Sequence, residues 1–395
     1  MQPPLALIAE VTHSCPLHCV YCSNPIELIS RKTELSTEAW CRVFQEAAEL
    51  GVLQAHLTGG EPLARADIVQ LVEAARQAGL YVNLITSGVG MTDERLAALA
   101  TAGVDHIQLS LQDARALEAD WIAGTRAHVL KLALAGRIRE KGIALTLNIV
   151  VHRQNLDRID EMLALAEECG ADRLEIAHVQ YYGWALANRQ HLLPTRAQVD
   201  RSLTAVEAAR ERLIGRMQID CVTPDYYARF PKACMGGWGQ KSMLIDPEGR
   251  ALPCHAAGVI PGLQFDSVGE HSLRWIWEKS GAFQKFRGEE WMPEPCRGCQ
   301  RREVDFGGCR CQALLLAGDP AKTDPVCELS PDHGIVLAAL DEAGNLAEGS
   351  AQAAVLMSAP MSSSATSTVP SPVPGPIAGL VRPDWLYRQN PRVTR

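Results

Sequence analysis

Apolar strand-like runs alternate with amphipathic stretches through the first half of the chain. Residues 5–11, 54–58, 81–86, 106–111, 144–151 and 173–179 read as strands. Residues 37–50, 66–78, 93–102, 124–141, 156–169 and 195–214 carry the apolar spacing of helices packed on one face. Gly51, Gly79, Gly103, Gly142 and Gly170 each stand just past a helix, where a C-cap glycine belongs. Six consecutive βα units predict an α/β fold with a parallel sheet and right-handed crossovers. Six units in place of eight predict an open, partial (β/α)6 barrel.

Barrels of this kind place their chemistry at the C-terminal ends of the strands. The unusual residues obey that rule. A cysteine-rich loop follows the first strand, Gly59-Gly60-Glu61-Pro62 follows the second, and Thr86-Ser87-Gly88 ends the third. Gln108, Ser110 and Gln112 lie on the fourth, Asn148 on the fifth, and Gln180-Tyr181-Tyr182-Gly183-Trp184 closes the sixth.

From about residue 224 helical periodicity fades and Gly, Pro, Trp and Cys become dense, as in a small module held together by metal. From residue 341 the chain is Ala/Ser/Pro-rich, and 358–376 holds six Ser and five Pro, the composition of a disordered linker. The chain thus divides into 1–223, 224–340 and 341–395. Truncation after about residue 340 is expected to leave the rest intact. The terminal Trp385-Leu-Tyr387 is free to dock back on the body or on a partner.

A net charge of −8 excludes a broadly basic nucleic-acid-binding surface. No run reaches the about 20 apolar residues of a membrane span. The N-terminus lacks a basic n-region and Glu10 interrupts its apolar run, so it reads as a strand and not a signal peptide. A cytoplasmic location is the default. Disulfides are then disfavoured, and the thirteen cysteines need another account. Ten fall into two constellations; Cys41, Cys169 and Cys221 stand alone and read as structural thiols.

The first constellation is Cys15-Pro-Leu-His-Cys19-Val-Tyr-Cys22, spaced C-x3-C-x2-C. Three thiolates on one loop can hold three irons of a cubane and leave the fourth open to a substrate, whereas closed clusters take four. Zinc is the alternative, with His13 or His18 as a fourth ligand, but zinc-finger spacings do not match.

With its aromatic residue before the last cysteine, this motif resembles that of the radical S-adenosylmethionine (SAM) superfamily. The resemblance implies a [4Fe–4S] cluster on Cys15, Cys19 and Cys22 that binds SAM and cleaves it to a 5′-deoxyadenosyl radical. Gly59-Gly60-Glu61-Pro62 resembles the motif that holds the methionine amino group: two glycines allow close backbone approach, and Glu61 offers acceptors to an ammonium. Tyr21, Ser110, Asn148, Thr86 and Ser87 are further candidates for contacting SAM. Each polar one has the alternative of a hydrogen-bonded core group.

The second constellation is Cys234, Cys254, Cys296, Cys299, Cys309, Cys311 and Cys327, with Gly249 five residues before Cys254. It resembles the SPASM domain, C-x(n)-G-x4-C, then C-x2-C-x5-C-x3-C, then C, which holds two auxiliary iron–sulfur clusters. Asp305 occupies the third cysteine slot of the central block, and Cys311 is additional. The family pattern implies Cys234, Cys254 and Cys309 for auxiliary I, which the additional Cys311 would complete, and Cys296, Cys299, Asp305 and Cys327 for auxiliary II, either cluster being [4Fe–4S] or [2Fe–2S]. The alternative for Asp305 is a solvated loop acid.

Three strings resemble one subgroup: 16–25, 104–112 and 174–189. They are similar to the pyrroloquinoline quinone (PQQ) biosynthesis enzyme that joins a glutamate and a tyrosine of a ribosomal precursor peptide, and the Asp305-for-Cys exchange also belongs to that subgroup's pattern. The resemblance spans about residues 3–330. It implies abstraction of a hydrogen from the glutamate γ-carbon, addition of that carbon to the tyrosine ring, and loss of a proton and an electron to an auxiliary cluster. It also implies a precursor peptide, a small peptide chaperone and an electron donor such as flavodoxin as partners. Gln180, Tyr181, Tyr182 and Trp184 are candidates for touching the peptide, with aromatic packing as the alternative. Rival readings are another SPASM enzyme, forming a thioether or a formylglycine, and an iron–sulfur electron carrier that cleaves no SAM.

Overall fold

The computed structural model describes residues 2–357 and 385–390. Nine strands are present among them: β1 (Ala6–Thr12), β2 (Gln54–Gly59), β3 (Tyr81–Thr86), β4 (His106–Leu111), β5 (Ala144–Val151), β6 (Arg173–His178), β7 (Gln218–Val222), β8 (Ser242–Ile245) and β9 (Ala251–Leu252). They form one sheet in the order β7-β6-β5-β4-β3-β2-β1-β8-β9. Every neighbouring pair is parallel except β8–β9. The order is linear, so the sheet curves without closing.

Side-chain alternation along the strands divides the sheet into two faces. Leu57, Leu84, Leu109, Leu147 and Ile176 are fully buried and belong to one core cluster with Trp40, Phe44, Leu71, Leu134 and Met162 of the helices. Their neighbours one position along, Thr58, Ile85, Gln108, Ser110, Asn148 and Glu175, line an open cleft on the other face. The period of two is why this strand set is apolar on one side and carries chemistry on the other.

The six expected strands and the helices Thr37–Leu50 and Asp93–Ala102 appear within a residue or so of their expected limits. Gly51 and Gly103 cap those helices at φ 103° and 90°. Three features depart from expectation. The helix expected over 124–141 is His128–Glu140, preceded by a separate helix Ala116–Ala123 that ends at the left-handed Gly124. β7 adds a seventh parallel strand, and β8, from the cysteine-rich module, pairs with β1 from Ala6↔Ser242 to Ala9↔Ile245. Short runs of four or five residues carry too little periodicity to announce themselves.

The third departure concerns the C-terminal part. A helix, Gly334–Met357, runs across residue 341, where a linker was expected to begin. The Ser/Pro-rich run 358–376 lies outside the described residues. Residues 385–390 hydrogen-bond the first cysteine loop, the docking on the body that the sequence left open, and truncation after residue 340 would strip these contacts from that loop. No helix among the described residues is long and apolar enough to cross a membrane.

Trp40 is fully buried and stacks on Phe44 with ring centroids 5.8 Å apart. Trp40→Ala should cost about 3–5 kcal/mol, read as a lower thermal midpoint of the anaerobically purified protein. An unchanged midpoint would show that this helix does not anchor the sheet.

Candidate active site

The cleft at the C-terminal ends of β1–β6 has a volume of about 470 Å³. Cys15, Cys19 and Cys22 line one side, on the loop after β1. Backbone bonds pin this loop to the helix Ala116–Ala123: His18 N–H donates to Ala123 O at 2.8 Å and Val20 N–H to Ile122 O at 3.4 Å. His13 is engaged by Ile29 N–H on Nδ1 and faces Glu10 with Nε2, and His18 Nδ1 pairs with Arg388 O. Both ring nitrogens of His13 are thereby engaged.

Burial pushes the Cys15 thiol up to about 12 and the Cys19 thiol to about 11. A cysteine buried in this way becomes a thiolate when positive charge compensates it. Three such thiols on one loop form the donor set that an iron–sulfur cluster takes. Among the described residues no three Cys, His, Asp or Glu side chains converge as ligands of a single metal ion.

Gly59 and Gly60 lie against the same loop. A Cβ on Gly59 would stand 2.2 Å from Thr12 O, and one on Gly60 2.4 Å from Ser14 O. Gly60 N–H donates to Thr12 O at 2.6 Å and Glu61 N–H to Ser14 O at 2.8 Å. Glu61 itself departs from the expectation that its carboxylate faces a ligand. It is fully buried. Oε1 accepts from Thr86 Oγ1 (2.5 Å) and Leu63 N–H (3.0 Å), and Oε2 from Ser87 N–H (2.6 Å) and the Ser87 hydroxyl. Four donors exhaust the carboxylate's acceptor sites. Burial raises its pKa, opposed by the Ser87 and Thr86 hydrogen bonds. The expectation for the Thr86 and Ser87 hydroxyls changes with it: they tie β3 to β2 through Glu61, while both residues still contribute to the cleft wall.

Ser110 and Asn148 are register partners on β4 and β5, and both line the cleft. Tyr21 lines it too, its hydroxyl accepting from Gln112 Nε2 at 3.0 Å. Behind them lies a residue that sequence reasoning missed. Lys131 is fully buried and donates from Nζ to Gln112 Oε1 at 2.6 Å. Burial lowers its pKa, while the thiol of Cys19 opposes that shift. It sits within a helix of unremarkable pattern, where a lone lysine gives no signal. His178, at the end of β6, was also missed. It is 3% exposed, and neither ring nitrogen has a hydrogen-bond partner. Burial lowers its pKa to about 4, so it is neutral.

The four candidates for peptide contact separate. Gln180 is exposed and lines the cleft. Tyr181 is buried and packs at 5.1 Å from Tyr226. Trp184 is 5% exposed and does not line the cleft. Tyr182 directs its hydroxyl to Cys309 Sγ at 2.9 Å and lies edge-on to His255, a cleft residue, at 6.2 Å. For the three aromatics packing wins, because strand-end rings bury more surface against neighbouring loops than in an open cleft.

Cys234, Cys254, Cys309 and Cys311 come together as one group. Cys254 and Cys311 have their sulfurs 3.9 Å apart, and Cys234 and Cys309 lie close enough for the four thiols to shift one another's ionisation. Mutual hydrogen bonds hold Cys254 and Cys309 well below the ordinary thiol range and push Cys234 and Cys311 well above it. A second group, Cys296, Cys299, Asp305 and Cys327, lines a small, nearly filled cleft. Asp305 is 7% exposed; Oδ1 accepts from Gly307 N–H at 3.1 Å and Oδ2 from Arg301 Nε at 3.2 Å. Each group supplies four donors, the number a closed iron–sulfur cluster needs.

The Radical SAM superfamily model matches residues 9–166, and the iron–sulfur cluster-binding SPASM model matches residues 234–300. The fold is that of SuiB from Streptococcus suis bound to S-adenosylmethionine (TM-score 0.70, 21% identity, 83% of this chain and 78% of that one). It also resembles anSMEcpe with bound AdoMet (TM-score 0.59, 14% identity, 89% and 100%). The PqqA peptide cyclase of Methylocella silvestris is 57% identical over 336 residues, 85% of this chain and 90% of that protein. That of Gluconobacter oxydans is 56% identical over 341 residues, 86% and 95%. With this identity across most of both sequences, the chain belongs to the PqqA peptide cyclase family of radical SAM enzymes.

Proposed function

We propose that the chain forms a carbon–carbon bond between a glutamate and a tyrosine side chain of a PqqA-type precursor peptide, as a step in PQQ biosynthesis. The observation that carries this reading is the joint presence, in one cleft, of the three-cysteine loop and the Gly59-Gly60 turn, in a chain 57% identical to named PqqA peptide cyclases. A solved relative in fold, SuiB, is bound to its own precursor peptide SuiA (TM-score 0.69, 20% identity). A peptide chaperone and a flavodoxin-like electron donor complete the proposed partners, and the cytoplasm is the proposed location.

When bound, SAM and a [4Fe–4S] cluster on Cys15, Cys19 and Cys22 supply the 5′-deoxyadenosyl radical, and two auxiliary clusters supply an acceptor for the electron that the tyrosine ring releases. The chain's own residues do the positioning. Carbonyl oxygens of the cleft-lining Gly59-Gly60 turn receive the methionine ammonium in place of the Glu61 carboxylate, which is already spent on Thr86, Ser87 and Leu63. Ser110 and Asn148 offer polar side chains to the SAM carboxylate or ribose, and Tyr21 offers a ring. Gln180 is placed at the mouth for the peptide. Cys234, Cys254, Cys309 and Cys311 hold auxiliary I; Cys296, Cys299, Asp305 and Cys327 hold auxiliary II.

The net change on the peptide is loss of two hydrogens with no sulfur taken up. Mass spectrometry of PqqA peptide after anaerobic incubation with reconstituted enzyme, SAM and reductant should show that mass decrease, with fragmentation failing between the linked residues. A thioether or an aldehyde product would instead place the chain with other peptide-modifying SPASM enzymes.

Replacing Cys15, Cys19 and Cys22 together by Ala should abolish 5′-deoxyadenosine formation while the iron bound by the C-terminal cysteines remains. SAM cleavage at the wild-type rate in the triple variant would refute the site. Asp305→Ala should impair cross-linking more than SAM cleavage, because Asp305 belongs to a different group from the three-cysteine loop. Asp305→Cys should retain iron and change the auxiliary cluster's potential, since a carboxylate is a harder donor than a thiolate. Equal loss of both activities in Asp305→Ala would speak against that division of labour.

A further inference from the structure

The last described segment, residues 385–390, is bound to the mouth of the cleft by contacts that no part of the proposed reaction uses. Trp385 is 8% exposed and stacks on Trp121 with ring centroids 4.0 Å apart. Leu386 is held by Asn188 on both sides: its N–H donates to Asn188 Oδ1 and its carbonyl accepts from Asn188 Nδ2, each at 2.8 Å. Asn390 Oδ1 accepts the backbone N–H of Cys15 at 3.0 Å, and Arg388 O meets His18 Nδ1 at 2.7 Å.

Arg388 is the centre of this arrangement. Only 2% of the side chain is exposed, yet it lines the cleft beside Cys15, Cys19 and Cys22. Its Nη2 donates to His13 O and its Nη1 lies 3.2 Å from Asn390 Oδ1, while Nε is buried without a hydrogen-bond partner. A buried guanidinium needs compensating negative charge. No salt bridge between Arg388 and a carboxylate occurs among the described residues, and Cys15, Cys19 and Cys22 line the same cleft.

We propose that residues 385–390 form a latch that completes the SAM-cluster site, with Arg388 as a positioning residue whose charge faces the cluster's three thiolates and whose anchors hold the Cys15 loop closed. The proposal rests on the reading of Cys15, Cys19 and Cys22 as cluster ligands. Reduction adds one negative charge to a cluster carried by three thiolates. A fixed cation beside it favours the reduced form, because cluster potentials respond to nearby charge and to hydrogen bonds.

The test uses full-length, reconstituted protein. Arg388→Gln should lower the one-electron reduction equilibrium of the N-terminal cluster at least tenfold, about 59 mV, in a redox titration followed by electron paramagnetic resonance. Arg388→Lys should recover most of the shift, and the auxiliary clusters should titrate as in the wild type. Trp385→Ala, which frees the latch but keeps Arg388, should speed iron loss to a chelator from the N-terminal cluster severalfold and expose 385–390 to protease. An Arg388→Gln protein with wild-type potential overturns the charge role. A Trp385→Ala protein with wild-type iron loss overturns the latch, and this arm stands even where Arg388→Gln fails to fold. Wild-type protein that holds no iron at Cys15, Cys19 and Cys22 refutes the underlying reading instead.

Discussion

Two loops touch backbone to backbone where β1 and β2 end, and the site depends on that contact. The turn at Gly59-Gly60 passes so near Thr12 and Ser14 that a methyl group at either glycine would overlap a carbonyl oxygen. Absence of side chains at Gly59 and Gly60 lets the Gly60 and Glu61 N–H groups donate to the strand that leads into the cysteines. Glu61 then extends the joint to a third strand. A buried carboxylate is costly unless hydrogen-bonded, and here Thr86 and Ser87 at the end of β3 satisfy it together with Leu63. Three strand ends are thereby fixed to one another, and the cleft wall they form is set before any ligand enters.

Electrostatics adds a second constraint. The cysteines of the first loop sit where burial strongly disfavours their charged form. Two buried cations stand nearby, Lys131 from below through Gln112 and Arg388 from the latch. Neither has a carboxylate partner in a salt bridge among the described residues, and both favour thiolate over thiol at Cys19. The pocket is therefore prepared for negative charge at that loop. The acidic net charge of the whole chain, −8, conceals this local reversal.

The barrel was legible because its signals are local and repeated: six apolar runs of period two, five glycine-terminated helices, and cysteines at fixed short spacings. What escaped was carried by single residues or by distant pairings. β8 is four residues long and joins β1 across more than half the chain. Lys131 is one lysine on a helix, distinguished only by what the fold places around it. The role of Glu61 was read from its motif as an offer to a ligand. The saturation of its carboxylate became visible only when the hydroxyls of β3, 25 and 26 residues away, were in place. The terminal segment announced itself only by Trp385 and Tyr387, and its docking site, 375 residues earlier, could not be deduced from them.

Tyr182 shows how the fold decides between two contacts that the sequence leaves open. Its position at the end of β6 is that of a mouth residue. Its ring is nonetheless 7% exposed, turned into the C-terminal module with its hydroxyl on Cys309 and its edge toward His255. His255 follows Cys254 in sequence and lines the cleft. The four-thiol group therefore has a cleft-lining neighbour in sequence, His255, and a tyrosine hydroxyl on one of its sulfurs. β8 supplies the rigidity for this approach: its parallel pairing with β1 ties the cysteine-rich module to the same strand that carries the first cysteine loop. The separation between the two cysteine groups is then set by one continuous sheet, which a flexible linker between two independent domains would not achieve.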